Sequence, residues 1–75
     1  MKELALRLVK ELADSPDKVS VDESERGGVV TLRLTVLESD KGKIIGKQGK
    51  VIKAIRSVVG LAAAKAGKKA SVEID

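Results

Sequence analysis

The feature that most constrains this chain is a pair of glycines three positions apart, Gly46 and Gly49, with apolar residues at helical spacing on both sides. Ile44 and Ile45 come directly before the first glycine, and an isoleucine repeat follows the second. Glycine lets the backbone turn sharply, and apolar residues that recur every three or four positions indicate a buried helix face. We therefore predict that segment 46–49 is a tight loop between two helices.

The loop is also a candidate anion site. Backbone N–H groups in the first turn of a helix have no partner within the helix, and the helix dipole adds positive potential there. We expect the amides of Lys47, Gln48 and Gly49 to be free donors at that position, beside the positive charges of Lys47 and Lys50. The alternative is a flexible turn with solvated lysines, since two glycines at this spacing are common. The helical pattern on each side favours the anion site.

Basic residues are concentrated in the second half of the chain. The sequence contains 15 Lys and Arg against 11 Asp and Glu, which gives a formal net charge of +4. The segment from Lys41 to Lys69 holds nine basic residues and no acidic residue. We therefore predict one basic face, which is typical of proteins that bind polyanions, with an ordinary solvated face as the alternative.

Three residue classes are missing, and each absence argues against a kind of chemistry. Without His and Cys, the chain lacks the commonest general base, a common nucleophile and the usual transition-metal ligands, so we predict that it is not an enzyme. Without Phe, Tyr and Trp, it has no aromatic side chain on which bases could stack, which argues against RRM-type and OB-type binding. A loop that binds phosphates through glycines and lysines needs no aromatic residue.

Length and hydropathy bound the organisation of the chain. With 75 residues, we expect a single domain over 1–75 with a small hydrophobic core. The absence of cysteine suits a reducing compartment, and charged residues interrupt the N-terminal apolar residues where a signal peptide would need an unbroken run. No apolar stretch is long enough to cross a bilayer. We therefore expect a cytoplasmic protein with no membrane partner.

Hydrophobic periodicity predicts six elements. Leucines at every fourth residue indicate an amphipathic N-terminal helix, alternating apolar residues indicate strands, and a second helical pattern follows the glycine loop. The predicted elements are a helix over 2–13, strands over 18–22 and 29–38, a short helix that ends at Ile45, a helix over 49–66 and a strand over 69–74. This order, α-β-β-α-α-β, predicts a two-layer α/β (α+β) domain with a three-stranded mixed sheet and all helices on one face.

Residue types predict several local details. Ser39 and Asp40 should cap the short helix, segment 26–28 should form the turn between the first two strands, and Gly67 should end the long helix. Gly60, inside the long helix, either allows close packing or lets the helix bend. On the clearest strand, alternate apolar residues should face the core: Val30, Leu32, Leu34 and Val36.

With the glycine loop between its two central helices, this element order resembles the type II (prokaryotic) KH fold. The whole chain resembles the KhpA-like family of small bacterial KH-domain proteins. The likeness lies in four segments: Ser15-Pro16-Asp17-Lys18-Val19, Gly42-Lys43-Ile44-Ile45-Gly46-Lys47-Gln48-Gly49, Ala54-Ile55-Arg56 and Lys68-Lys69-Ala70-Ser71-Val72-Glu73-Ile74. Gly60 and Leu61 depart from it, since this position in the family favours helix-forming and often basic residues.

The resemblance implies that the chain binds single-stranded RNA, without catalysis, through the GxxG loop 46–49. It further implies that one of Ile44 and Ile45 lines a groove for the bases and that the other lies in the core. Independently of the resemblance, Lys50, Lys53 and Arg56 step by three along the following helix, where each could contact a phosphate or be a solvated charge.

The candidate RNA-binding residues are therefore Gly46, Lys47, Gln48, Gly49, Lys43, Ile44, Ile45, Lys50, Lys53 and Arg56. The resemblance implies a low-specificity RNA chaperone or post-transcriptional regulator with no cofactor and no metal site. It also implies a homodimer, or a heterodimer with a Jag-type KH protein.

Two other interpretations are open at this point. In the first, the fold serves dimerisation or a partner protein, and RNA binding is weak or depends on that partner. In the second, segment 42–48 is a nucleotide-binding P-loop. The second is disfavoured because only three residues separate Gly42 from Gly46 where a P-loop has four, and because Gln48 stands where Mg²⁺ binding needs Ser or Thr.

Overall fold

The chain folds into three α-helices and a three-stranded β-sheet. The computed structural model describes residues 1–75. Its elements are α1 (Lys2–Leu12), β1 (Ser20–Arg26), β2 (Val29–Thr35), α2 (Glu38–Ile45), α3 (Lys50–Lys65) and β3 (Lys69–Ile74), with short 3-10 turns at Pro16–Lys18 and Lys47–Gly49. The order α-β-β-α-α-β confirms the predicted fold class.

The sheet is mixed, as predicted, with the strand order β1-β2-β3. β1 and β2 are antiparallel and are joined at Gly27–Gly28, whereas β3 returns parallel to β2. Parallel neighbours need a long crossover connection, because a tight turn can join only antiparallel strands. Here α2, the glycine loop and α3 form that crossover. The sheet topology therefore fixes both ends of the helix pair that carries the loop.

The hydrophobic core lies between one face of the sheet and the helices. Successive strand residues point to opposite faces, and in β2 the alternate residues Val30, Leu32 and Leu34 are buried while Arg33 between them is exposed. Val36, just beyond β2, is buried as well. Burying one such side chain contributes about 1.5–3 kcal/mol, so the alternation decides which face the helices cover. The helices contribute Ala5, Val9, Ile44, Ile52, Ile55 and Val59 to this core.

The opposite face of the sheet is polar. The strand register places Asp22, Arg33 and Glu73 side by side across the three strands. Arg33 Nη2 contacts Glu73 Oε1 at 3.4 Å, and both side chains are more than half exposed. Exposed ion pairs of this kind contribute only about 0–1 kcal/mol. This face is therefore compatible with solvent, and the helices lie on one side only, as predicted.

β1 differs from its prediction at both ends. The strand was expected over 18–22, but Pro16–Lys18 forms a 3-10 turn and β1 begins at Ser20. It then continues to Arg26, although none of its residues beyond Val21 is buried. Backbone pairing with β2 holds this part of the strand, up to the pair Arg26–Val29. Hydrophobic periodicity detects burial and not hydrogen bonding, so it misses such an extension.

The start of α2 also differs from its prediction. β2 ends at Thr35, three residues before its predicted end at Glu38, and Glu38 is instead the first residue of α2. The N-cap residue is Leu37, and no side chain caps the helix. The prediction that Ser39 and Asp40 cap this helix is therefore wrong, because both residues already lie inside its first turn.

Asp40 instead ties the end of α1 to α2. Its side chain is only 1% exposed. Its Oδ1 accepts a hydrogen bond from the backbone N–H of Asp14 at 3.2 Å, and its Oδ2 accepts one from the backbone N–H of Ser15 at 3.1 Å. A buried carboxylate destabilises a protein unless it is hydrogen-bonded. The two amide donors meet that need and fix the turn that follows α1.

α3 is one residue shorter at each end than predicted. Gly49 is its N-cap and Ala66 its C-cap, so Gly67 follows the cap and is not the cap itself. A Cβ placed at Gly60 would meet no atom within 4 Å, so close packing does not explain this glycine. The helix runs through Gly60 without interruption. Neither α3 nor any other helix combines the length and the hydropathy needed to cross a membrane.

We predict that Gly60→Ala stabilises the protein by about 0.5–1 kcal/mol. Alanine removes the entropy cost of glycine in a helix interior, and its methyl group would have no neighbour to displace. Urea denaturation followed by circular dichroism measures the change. Gly42→Ala in α2 is a matched control, because a Cβ there also meets open space. The prediction would be contradicted if Gly42→Ala raises the free energy of unfolding and Gly60→Ala lowers it.

We also predict that Asp40→Ala lowers the free energy of unfolding by about 1–2 kcal/mol, because two partly buried N–H groups lose their acceptors. Asp40→Asn keeps one acceptor oxygen, so its free energy of unfolding should lie between those of Asp40→Ala and the wild type. Ser39→Ala, at an exposed neighbouring position, should change stability little. Equal effects of Ser39→Ala and Asp40→Ala in the same denaturation experiment would mean that the Asp40 carboxylate makes no special contribution.

Candidate functional site

The glycine loop joins α2 to α3 through four residues, 46–49. Gly46 ends α2 with φ +78° and ψ +170°, and its N–H still donates to the carbonyl of Gly42 at 2.8 Å. Gln48 and Gly49 then both adopt left-handed conformations, with φ of +57° and +75°. Lys50 returns to right-handed helix geometry. The predicted tight loop between two helices is therefore present.

The two glycines are required for different reasons. A Cβ at Gly46 would lie 2.4 Å from Cγ2 of Val51, so the first turn of α3 packs directly on this backbone. A Cβ at Gly49 would come no closer than 3.9 Å to any atom, so only the positive φ favours glycine there. Gln48 is the one non-glycine residue with positive φ in the chain, a conformation that is strained for most side chains. Steric contact and a positive φ thus both act at Gly46, whereas only the positive φ acts at Gly49.

Only some of the loop amides are available as donors. The N–H of Gly49 donates to the carbonyl of Gly46 at 3.1 Å, so the expectation that this amide is free is wrong. The N–H of Lys50 donates to the carbonyl of Lys47. Beyond these bonds, α3 has no side-chain cap and no acidic residue in its first turn. Its positive end therefore faces solvent without a carboxylate to compensate it.

The lysines around the loop divide into paired and unpaired groups. Lys47, Lys50 and Lys53 are exposed and form no ion pair. By contrast, Lys41 contacts Glu38 at 3.0 Å and Lys68 contacts Glu25 at 2.7 Å. The three unpaired lysines begin inside the loop and continue along the first turns of α3. They therefore add positive charge next to the helix N-terminus.

Lys43 belongs to the paired group, although it is a candidate RNA-binding residue. Its Nζ lies 2.5 Å from Oδ2 of Asp14 in the turn after α1. This hydrogen bond and the Asp14 charge raise the pKa of Lys43 above its ordinary value, with a smaller contribution from the charge of Asp40 and partial desolvation acting the other way. The positive charge of Lys43 is therefore already partly compensated within the protein.

The remaining candidate residues occupy three environments. Ile44 is fully buried in the core, whereas Ile45 is 37% exposed beside the loop. Arg56 lies on α3 beyond the lysines, and its Nε donates to the carbonyl of Val72 on β3 at 3.2 Å. The structure thus brings Ile45 and the unpaired lysines to the loop, and it places Lys43 and Arg56 against other partners.

Two residues of this region were not identified from the sequence. Val51 fills the space beside Gly46, and Asp14 binds Lys43. The spacing of Val51 within the helical pattern indicates only burial. Asp14 lies 29 positions from Lys43 along the chain, so no local pattern links the two residues.

The sequence is similar over nearly its whole length to one family of bacterial proteins. The family model described as "KhpA/KhpB, KH domain" matches residues 2–74. A Clostridium acetobutylicum protein named RNA-binding protein KhpA is 46% identical over 74 residues, with 99% of each chain covered. Proteins of the same name from Clostridium perfringens and Bacillus subtilis are 49% and 42% identical over 74 residues, with 99% of this chain and 99% and 91% of theirs covered. The names describe binding and not a reaction, which confirms the prediction of a non-enzymatic protein.

We predict that Gly46→Ala is far more destabilising than Gly49→Ala. The new methyl group at Gly46 would overlap Val51, so the variant should lose more than about 2 kcal/mol or fail to fold. At Gly49 the methyl group has space, and the positive φ should cost only about 1 kcal/mol. Thermal unfolding of both variants checks the order.

The double variant Gly46→Ala/Val51→Ala keeps the first prediction testable if Gly46→Ala does not fold. Shortening Val51 removes Cγ2, the nearest of the atoms that the new methyl group overlaps, while the Cβ and the backbone N of residue 51 remain at 2.7 Å, so it should restore only a small part of the lost stability. Equal destabilisation by Gly46→Ala and Gly49→Ala would show that the contact with Val51 is unimportant.

Proposed function

The chain belongs to the KhpA/KhpB KH-domain family, and from this membership we propose that it binds single-stranded RNA through the loop 46–49. The observation that carries the proposal is the set of three unpaired lysines, Lys47, Lys50 and Lys53, at the uncapped N-terminus of α3. A helix N-terminus with added positive charge favours a phosphate group. A loop of this kind in KH domains contacts the backbone of about four nucleotides.

Each loop residue has a role in this proposal. The contact between Gly46 and Val51 holds the loop against α3, so that a phosphate could approach the small Gly49. Lys47 and Gln48 project at the tip, where both are exposed. Ile45, at the base of the loop, offers an apolar surface to a base. Because no aromatic side chain can stack on bases, the binding energy comes mainly from the RNA backbone and sequence specificity is low.

Such low specificity suits an RNA chaperone or a post-transcriptional regulator that acts on many transcripts in the bacterial cytoplasm.

Two or three phosphate contacts set the expected salt dependence of RNA binding. If three phosphates are neutralised, the logarithm of the binding constant should fall with the logarithm of salt concentration at a slope of about −2. This slope distinguishes contacts with the RNA backbone from contacts with the bases.

A second candidate function is pairing with another KH protein, either a second copy or a Jag-type partner. The observation that favours it is a group of exposed apolar side chains on α1 and α3, in which Leu12 is 41% exposed, Val58 42% and Leu61 68%. This surface does not include the loop 46–49. A complex formed through it would therefore be insensitive to salt and would survive mutation of the loop.

The decisive test is the double variant Lys47→Asp/Gln48→Asp. It introduces two carboxylates at the loop tip, so RNA binding should fall at least about tenfold while the fold is retained. Fluorescence anisotropy with a labelled single-stranded RNA at two salt concentrations measures the affinity, and circular dichroism checks the fold. Lys65→Asp/Ala66→Asp is the control, because it makes the same change in charge at the other end of α3.

Loss of binding in the loop variant alone would support the proposal. Equal loss in both variants would mean that only the overall charge matters. Unchanged affinity in the loop variant would exclude this loop as the RNA site.

A further inference from the structure

Lys43 differs from the three unpaired lysines at the loop because its charge already faces a carboxylate. It lies in the last turn of α2, three residues before Gly46, which corresponds to about 4.5 Å along the helix axis. Its Nζ lies 2.5 Å from Oδ2 of Asp14. A lysine close enough to the loop to meet the same ligand is therefore bound to an acidic residue of the protein.

The position of Asp14 is fixed by the helix that carries Lys43. Asp40, one turn earlier on α2, is buried and accepts hydrogen bonds from the backbone N–H groups of Asp14 at 3.2 Å and Ser15 at 3.1 Å. These two bonds hold the turn after α1 against α2. The Asp14 side chain contacts no group other than Lys43. Asp40 therefore places the Asp14 carboxylate beside Lys43 without binding the lysine itself.

The pair between Lys43 and Asp14 contributes little to folding. The Lys43 side chain is 53% exposed and that of Asp14 is 70% exposed. Water solvates separated charges at such positions almost as well as the charges solvate each other. The effect on an anionic ligand is larger, because a phosphate that approaches Lys43 is repelled by the carboxylate and has to replace it. The contact is therefore better suited to control binding than to stabilise the fold.

On the basis of the RNA binding proposed above, we propose that Asp14 competes with an RNA phosphate for Lys43 and thereby limits the affinity of the protein for RNA. Asp40 is the positioning residue that holds this competitor in place. With the pair formed, three lysines at the loop neutralise phosphates, which corresponds to a salt slope of about −2. Without the Asp14 charge, Lys43 becomes a fourth, and the slope becomes about −2.8.

The overall charge of the protein is the effect that the test has to separate from this competition. Removal of any carboxylate raises the net charge by one and attracts an anionic strand more strongly. Asp17 provides the matched control, since it lies three residues after Asp14, is exposed and forms no ion pair. Asp17→Asn therefore makes the same change in charge without releasing a lysine.

The experiment measures the binding of a labelled single-stranded uridine octamer by fluorescence anisotropy at several salt concentrations. Asp14→Asn should raise the affinity about fivefold at low salt and steepen the salt slope by about 0.7, because one more phosphate is neutralised. Asp17→Asn should change the affinity less than about twofold. In a Lys43→Gln background, Asp14→Asn should also have an effect below about twofold, since residues that act together are not additive. Circular dichroism checks that each variant is folded.

Three outcomes would overturn the proposal. Equal gains from Asp14→Asn and Asp17→Asn, or a gain that persists in the Lys43→Gln background, would mean that the Asp14 charge does not act through Lys43. No gain from Asp14→Asn would mean that Lys43 does not reach the RNA. Weaker binding by Asp14→Asn would mean that Asp14 orients Lys43 for the RNA and does not compete with it.

Failure of the proposed function would give a different result. It would appear as no RNA binding by the wild type, or as binding that Lys47→Asp/Gln48→Asp does not affect.

Discussion

The contact between the backbone of Gly46 and the side chain of Val51 is the constraint on which the geometry of this protein depends. It lets α3 begin directly against the end of α2, because no side chain separates the two helices at this point. The crossover between the parallel strands β2 and β3 can then consist of two helices joined by a loop of four residues. A longer loop would not hold the N-terminus of α3 in a fixed direction relative to α2. The positive end of α3 and its lysines are therefore placed by one steric contact.

The sequence predicts the fold well wherever burial decides the structure. The alternation in β2 and the apolar repeat in α3 identify both elements and their buried faces, because each buries one face against the same core, although β2 ends three residues earlier than predicted. The prediction is wrong where hydrogen bonding decides the structure. The outer half of β1 is held by pairing with β2 and not by burial, so no pattern of apolar residues reveals it. Asp40 was assigned to a helix cap, because a carboxylate near a helix start has the same local sequence whether it binds its own helix or the turn after α1.

The candidate site shows the same difference between features that a local sequence pattern predicts and features that contacts distant in sequence decide. The position of the loop follows from its glycines, and the lysines follow from their spacing. What each basic residue contacts does not follow, because Asp14 and Val72 are distant in sequence from Lys43 and Arg56. Four basic residues that look equivalent in the sequence, Lys43, Lys50, Lys53 and Arg56, therefore have three different surroundings. Only a three-dimensional structure separates a lysine that is paired from one that is free to meet a ligand.

This separation of paired and unpaired lysines has a kinetic consequence. The formal net charge of +4 is small, but Lys41, Lys43 and Lys68 are paired with carboxylates, whereas Lys47, Lys50 and Lys53 are uncompensated and lie close together. Unpaired exposed charges act over about 8 Å at physiological ionic strength, and they change the rate of encounter more than the rate of dissociation. The uncompensated lysines would therefore speed the capture of an anionic strand and lose that effect as the salt concentration rises, while the time that the strand stays bound would depend on its short-range contacts.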